Sequence, residues 1–166
     1  MVSPIAFIAI TLGGAFLLGL VRDEWRTISY ALTLAVMAYV SLLAVHWVVA
    51  LSSGDVSSVE VLTAGTAPPF SINLRFGLPE AVLVMLINLT GLLSALYLKD
   101  TMLKQGRRAM AVLLIFSMAL GGIVMTRDLF NLFVFFELMV ISTGGLILLS
   151  RDKRALGAGF KFLVAS

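Results

Sequence analysis

The stretch Arg127-Asp128-Leu129-Phe130-Asn131-Leu132-Phe133-Val134-Phe135-Phe136-Glu137-Leu138-Met139-Val140-Ile141-Ser142 decides how this chain is read. Beyond Asp128 it is an apolar run broken only by Asn131 and by one carboxylate, Glu137. Continued to 150, the run is long enough as a helix to cross about 30 Å of hydrocarbon at about 1.5 Å per residue. Glu137 lies ten residues after Arg127, so about 15 Å into such a span and close to its middle. A charged side chain there costs roughly 2.5–3.5 kcal/mol on insertion scales, and an acid kept in spite of it marks an ion or proton site by default. The structural alternative is a protonated acid hydrogen-bonded to a neighbouring helix.

The rest of the sequence has the same character. Of its 166 residues 60% are hydrophobic and only 13% charged, with a mean hydropathy of +1.07. Soluble domains are nearer half apolar and a quarter charged. The sequence pI of about 9.6 would suggest nucleic acid in a soluble protein. Here the basic residues fall in short segments between apolar runs, where they set membrane topology, and no nucleic-acid partner is expected. There is no cysteine, which excludes disulfides and thiolate metal sites. The N-terminus has no basic leader region and no small-residue cleavage site, so it reads as a first span.

Five runs satisfy the length of a membrane helix: 4–21, 27–52, 78–98, 109–126 and 129–150. A sixth begins at Ala155 and stops at Ser166, too short to cross, so the chain reads as part of a larger unit. The expected fold is all-α, a polytopic helical membrane protein with five transmembrane helices and the start of a sixth, forming one domain over 1–166. The connection 53–77 holds two β-prone segments, 56–62 and 71–76, around a Gly/Pro-rich turn, and predicts a short external hairpin.

Orientation follows from the lysines and arginines. Arg22, Arg26, Lys99, Lys104, Arg107, Arg108, Arg151, Lys153 and Arg154 share one side, and Arg75 and Arg127 the other. The richer side is expected in the cytoplasm, which places the N-terminus and the 53–77 connection outside, in a cell membrane.

Lys161 follows Arg154 by seven residues, so it lies about 10 Å below the cytoplasmic edge, with Glu137 about 20 Å below it. An offset of roughly 10 Å between antiparallel helices is too long for a direct ion pair, so water would have to link them. A lysine snorkelling to the interface is the other reading. Asp128 suits the first turn of its helix, where a carboxylate complements the dipole, and is otherwise a secondary proton site. His46, beside Trp47, reads as an interfacial anchor or a secondary relay. Gly121-Gly122 and Gly144-Gly145 suit close helix packing. No phosphate loop, zinc signature, nucleophile triad, haem pattern or iron–sulfur pattern is present, so no cofactor and no metal is expected.

The segments Asp128-Leu129-Phe130-Asn131-Leu132-Phe133-Val134-Phe135-Phe136-Glu137-Leu138-Met139 and Ala155-Leu156-Gly157-Ala158-Gly159-Phe160-Lys161-Phe162-Leu163 resemble the antiporter-like subunits. These are the D and A subunits of Mrp-type cation/proton antiporters and the pump subunits of respiratory complex I and membrane-bound hydrogenases; the Mrp D-like branch is the most similar. Pro68-Pro69-Phe70-Ser71-Ile72-Asn73-Leu74-Arg75 and Ile87-Asn88-Leu89-Thr90-Gly91-Leu92-Leu93-Ser94-Ala95-Leu96-Tyr97 extend the resemblance over about 50–166.

The resemblance implies that Glu137 matches the family's essential glutamate and Lys161 a lysine that several members carry in the next helix. It implies proton translocation, with H⁺ and Na⁺ as candidate ions, inside a heteromeric, translocase-type membrane complex. The partners would be other membrane subunits, including antiporter-like ones or a missing C-terminal half, and the chain would have no redox site of its own. Family members have about fourteen helices in inverted repeats; a seventh-helix lysine that pairs with the glutamate is not in this sequence. An acidic residue usual near the start of the third helix is replaced around Phe76-Gly77, with Glu80 nearby. A non-conducting scaffold subunit and a small homodimeric transporter remain the other expectations.

Overall fold

The computed structural model describes residues 2–54, 56–62, 73–149 and 153–165, with side chains in the last segment from 157 onward. Among these, the elements in chain order are α1 (Ile5–Leu20), α2 (Arg26–Ser52), β1 (Val59–Leu62), β2 (Asn73–Phe76), α3 (Leu78–Tyr97), α4 (Lys99–Gln105), α5 (Arg107–Met125), α6 (Leu129–Leu148) and α7 (Lys153–Ala165). Every expected span is a helix within a few residues of its expected ends. Four of them, α2, α3, α5 and α6, are long and apolar enough to cross a membrane. The first helix, α1, has 16 residues and spans only about 24 Å as a straight helix.

At the centre is α5, which packs against α1, α2, α3, α4 and α6. Its sequence permits this because small residues alternate with large ones: Ala109, Met110, Leu114, Ala119, Gly122 and Met125 all face inward. Without a hydrophobic difference between lipid and protein, helices associate through such close packing. Gly122 shows how close: a Cβ there would collide with the ring of Phe135 on α6.

The core has two clusters. At the arginine-rich end, Leu18, Tyr30, Met37, Ala95, Met110 and Leu114 pack together, and the Tyr30 hydroxyl donates to the Ala95 carbonyl at 3.1 Å. At the other end the hairpin strands pair antiparallel, from Val59 opposite Phe76 to Leu62 opposite Asn73. The hairpin's connecting turn lies outside the described residues. Phe76, 1% exposed, is driven into the helix ends. There it stacks on Phe7 and meets Trp47 edge-on, each ring centroid 5.2 Å away. The expected hairpin therefore also anchors the bundle.

Two expectations change. Trp47 is not an interfacial neighbour of His46; it is a buried core residue, and only His46 faces outward. The short basic segment 99–105 between two apolar runs, expected only to carry topology signals, has structure of its own. It forms α4, held by buried Met102 and by Arg26, whose Nη1 donates to the Leu103 and Lys104 carbonyls. Gly106 ends α4 at φ +81°, a left-handed conformation that glycine adopts without strain.

Candidate functional site

The entry to α6 is built from three elements. The Arg127 N–H donates to the Asn73 carbonyl at 2.9 Å, and Leu74 bridges Thr126, so the α5–α6 junction is added to the hairpin edge. Asp128 caps α6 by accepting from the Phe130 N–H at 3.0 Å. The capping role expected of Asp128 is thus the one its geometry displays. Asn131 donates to the Thr126 hydroxyl at 3.2 Å.

The Arg127 guanidinium pairs with Glu80. Glu80 also accepts from the Gly77 N–H at 2.8 Å, which is half of a capping box at the start of α3. One carboxylate therefore caps α3 and clamps α6. This pair was not anticipated. Its local half was readable in Gly77-Leu78-Pro79-Glu80, where a proline in the first turn precedes an acid at the third position.

From this fixed entry α6 runs nine residues to Glu137, roughly 13 Å along the axis. One side of α6 faces α5, through Asn131, Phe135 and Ser142. Glu137 is on the opposite side. It lies two turns from Gly144, within about 20° around the helix, and the Leu163 side chain of α7 sits directly over Gly144. Gly159 likewise lies against Ile147 and Leu148. Glu137 thus continues the stripe on which α7 packs. Beyond Gly144 that stripe is exposed at Phe130, Phe133, Glu137 and Ile141. Glu137 has no hydrogen-bond or ion-pair partner among the described residues.

The same contacts set the register of Lys161. With Leu163 over Gly144 and Gly159 at Ile147–Leu148, Lys161 lies level with 145–146 of α6. It is therefore roughly 13 Å along the axis from Glu137, slightly more than the sequence spacing predicts. Lys161 is exposed. His46 is exposed on α2, which packs against α1, α3, α4 and α5, whereas α6 packs against α5 and α7. The structure brings Glu137 and Lys161 to adjoining helices and leaves His46 elsewhere.

The polar groups inside the bundle are mostly satisfied within their own helices. Thr11, Thr33 and Ser41 bond back to carbonyls one turn earlier. Asn88 is satisfied only in part: its amide donates to the Val84 carbonyl at 2.8 Å, while its buried Oδ1, like Trp47 Nε1 and Asn73 Oδ1, has no partner among the described residues.

No family model matches the sequence. The chain is 32% identical over 111 residues to the D-type subunit of the Na(+)/H(+) antiporter of Alkalihalophilus pseudofirmus, covering 65% of this chain and 22% of that protein. It superposes with a TM-score of 0.85 and 24% identity on a chain of the membrane-bound sulfane sulfur reductase (MBS), an archaeal respiratory membrane complex. That match covers 97% of this chain and 33% of the other, and is a likeness of fold. The chain spans about a fifth of the one relative and a third of the other.

Proposed function

We propose that the chain belongs to the antiporter-like subunits, which its likeness to a D-type antiporter subunit and to an archaeal respiratory membrane complex supports, and that it is a proton- or cation-translocating membrane subunit, or the N-terminal part of one. It would work within a multisubunit cation/proton antiporter or a redox-driven proton pump. The observation that carries the proposal is the position of Glu137: a lone carboxylate near the middle of a rigidly capped membrane helix, on a stripe that α7 covers at one end only. A carboxylate kept at that depth, in spite of the cost of a charge there, marks an ion or proton path by default.

In this reading Glu137 takes up and releases the proton, and Lys161, on the adjoining helix, sets the local field or relays charge through water. The ion is H⁺, with Na⁺ the candidate counter-ion suggested by the name of the 32%-identical relative. Helix α1 is the fifth span, the whole chain is one membrane domain, and the arginine-rich end is cytoplasmic, with the N-terminus outside. The remaining half-channel comes from other polypeptide in the complex.

The test is ion transport in inverted vesicles carrying the whole native complex, wild type against Glu137→Gln, with assembly measured in parallel. The expected result is a loss of at least about a hundredfold, the scale of a removed proton-transfer group, in a complex that still assembles. Full transport by Glu137→Gln would refute the switch and leave the chain a scaffold. One observation favours that second reading: roughly 13 Å separates Glu137 from Lys161 along the helices, and no described side chain hydrogen-bonds to either.

A further inference from the structure

At the arginine-rich end, the α1–α2 turn, the α4–α5 turn and the end of α6 enclose a pocket of about 390 Å³. Its charged lining is Asp23, Arg26, Arg107 and Arg108, three arginines against one aspartate. These charges are not equally engaged. Arg107 holds both Asp23 oxygens and the Gly19 carbonyl. Arg26 uses one nitrogen to cap α4. Arg108 is exposed and has no ion pair among the described residues. The helix α5 begins here, and its N-cap Gly106 offers no side-chain oxygen to the first-turn N–H groups. Those donors and the helix dipole add to the arginines in favouring an anion.

A second recess of about 270 Å³ shares Arg107 and Arg108 and continues along Leu18, Gly19 and Ala111 between α1 and α5. Its walls away from the arginines are apolar. At Gly19 it is open, because a Cβ there would meet nothing within 4 Å. A polar recess at the helix ends thus joins, through two arginines, a short apolar groove over the last turn of α1 and the first turn of α5. A free phosphate would fill only the first.

We propose that this composite recess binds an anionic phospholipid, its phosphate among Arg26, Arg108 and the α5 N-terminus and one acyl chain along the α1–α5 groove. The excess of positive charge selects against a zwitterionic headgroup, whose ammonium the arginines repel. The bound lipid bridges the α1–α2 turn, the α4–α5 turn and the end of α6, and so fastens the arginine-rich end of the bundle to the bilayer surface. Basic pockets between membrane helices on this side suit such headgroups.

The test is native mass spectrometry of the full chain purified in mild detergent, titrated with phosphatidylglycerol or phosphatidylcholine, with inorganic phosphate as competitor. Wild type is expected to retain phosphatidylglycerol at least about tenfold better than phosphatidylcholine, and phosphate is expected not to displace it. Arg26→Gln and Arg108→Gln should each weaken retention about fivefold, the factor corresponding to one basic residue at an anionic surface. Lys99→Gln, an exposed charge outside the pocket, should leave it unchanged. Gly19→Leu keeps every charge and fills the groove. It should abolish retention, and it serves independently if an arginine variant misfolds. Retention at the wild-type level in both Arg108→Gln and Gly19→Leu would overturn the site. Equal losses in Lys99→Gln and Arg108→Gln would overturn it in favour of diffuse surface charge. Displacement by phosphate with Gly19→Leu unaffected would overturn the lipid in favour of a free anion. Lipid retention is read without transport, so this outcome is separable from that of the Glu137 experiment.

Discussion

Helices α5 and α6 are neighbours of similar length and hydropathy, yet 56% of the most apolar stretch of α5 is buried inside the chain and only 22% of that of α6. The first is a hub with neighbours all around it. The second is packed along one side by α5, and on the opposite side by α7 near one end. The difference shows where this bundle stores its stability and where it leaves chemistry exposed. A helix packed by neighbours on most sides leaves little room for a group whose charge changes, because a buried unpaired charge is costly. Glu137 sits on the open side of the open helix.

The largest expected contrast comes from truncating one large side chain on each. Leu114 on α5 has no exposed surface, and Leu114→Ala should cost about 2–5 kcal/mol through the cavity it leaves. Phe133 on α6 is 62% exposed, and Phe133→Ala should change the stability of the chain alone by less than about 0.5 kcal/mol. Reversible unfolding in mixed micelles would measure both. A large cost at Phe133 would mean that the stripe beside Glu137 is already covered in solution, by a second copy or by lipid held in place. The comparison between the two helices would then collapse.

A smaller contrast separates two adjacent glycines of α5. Gly122 lies under the Phe135 ring, while Gly121 has nothing within 4 Å of where a Cβ would stand. Gly122→Ala should force the ring or the helices apart at a cost of about 1–3 kcal/mol. Gly121→Ala should be stabilising by up to about 1 kcal/mol, since alanine is the better helix former. The same unfolding assay checks both, and equal effects would show that the α5–α6 seam is looser than the geometry implies.

Much of this was legible beforehand, for reasons that differ by region. The spans could be bounded because charged residues interrupt long apolar runs, and α2 begins at Arg26 and ends at Ser52 much as those interruptions predict. The hairpin was legible in its β-prone segments around a Gly/Pro turn. By contrast α4, Lys99-Asp100-Thr101-Met102-Leu103-Lys104-Gln105, buries only Met102, and one buried residue leaves no periodicity to detect. The Glu80–Arg127 pair joins residues 47 positions apart, a contact that exists only once the hairpin docks. The depth of Glu137 could be counted from Arg127. Its open side could not, because lipid tails are as apolar as leucine and an apolar run reads the same whichever covers it.

The smallest expected effect concerns the end of the bundle where the comparison between α5 and α6 begins. Arg107 opens α5 and ties it to the α1–α2 turn through Asp23. Its hydrogen bond is the largest effect and holds the Asp23 carboxyl below the ordinary value of 3.8; burial opposes it next, and the charges of Arg107, Arg108 and Arg26 each add a smaller lowering. The folded form therefore binds this proton more weakly than the unfolded one, and the contribution is present above the unfolded value and lost as pH falls through the folded one. Both groups are partly or largely solvent-exposed, with 26% and 68% of their side chains accessible, so the pair contributes little to global stability. Its signature is local. Hydrogen exchange in the α1–α2 turn, corrected for the intrinsic pH dependence, should stay constant from neutral pH down to about one unit above 3.8 and rise as pH falls through that value and below it. The turn in Asp23→Asn should show the faster exchange throughout. Wild-type exchange that stays constant well below 3.8, or that matches Asp23→Asn at neutral pH, would mean that the α5 hub is not fastened at this corner by the ion pair, and that the neighbouring packing of Leu18 alone holds α1 against it.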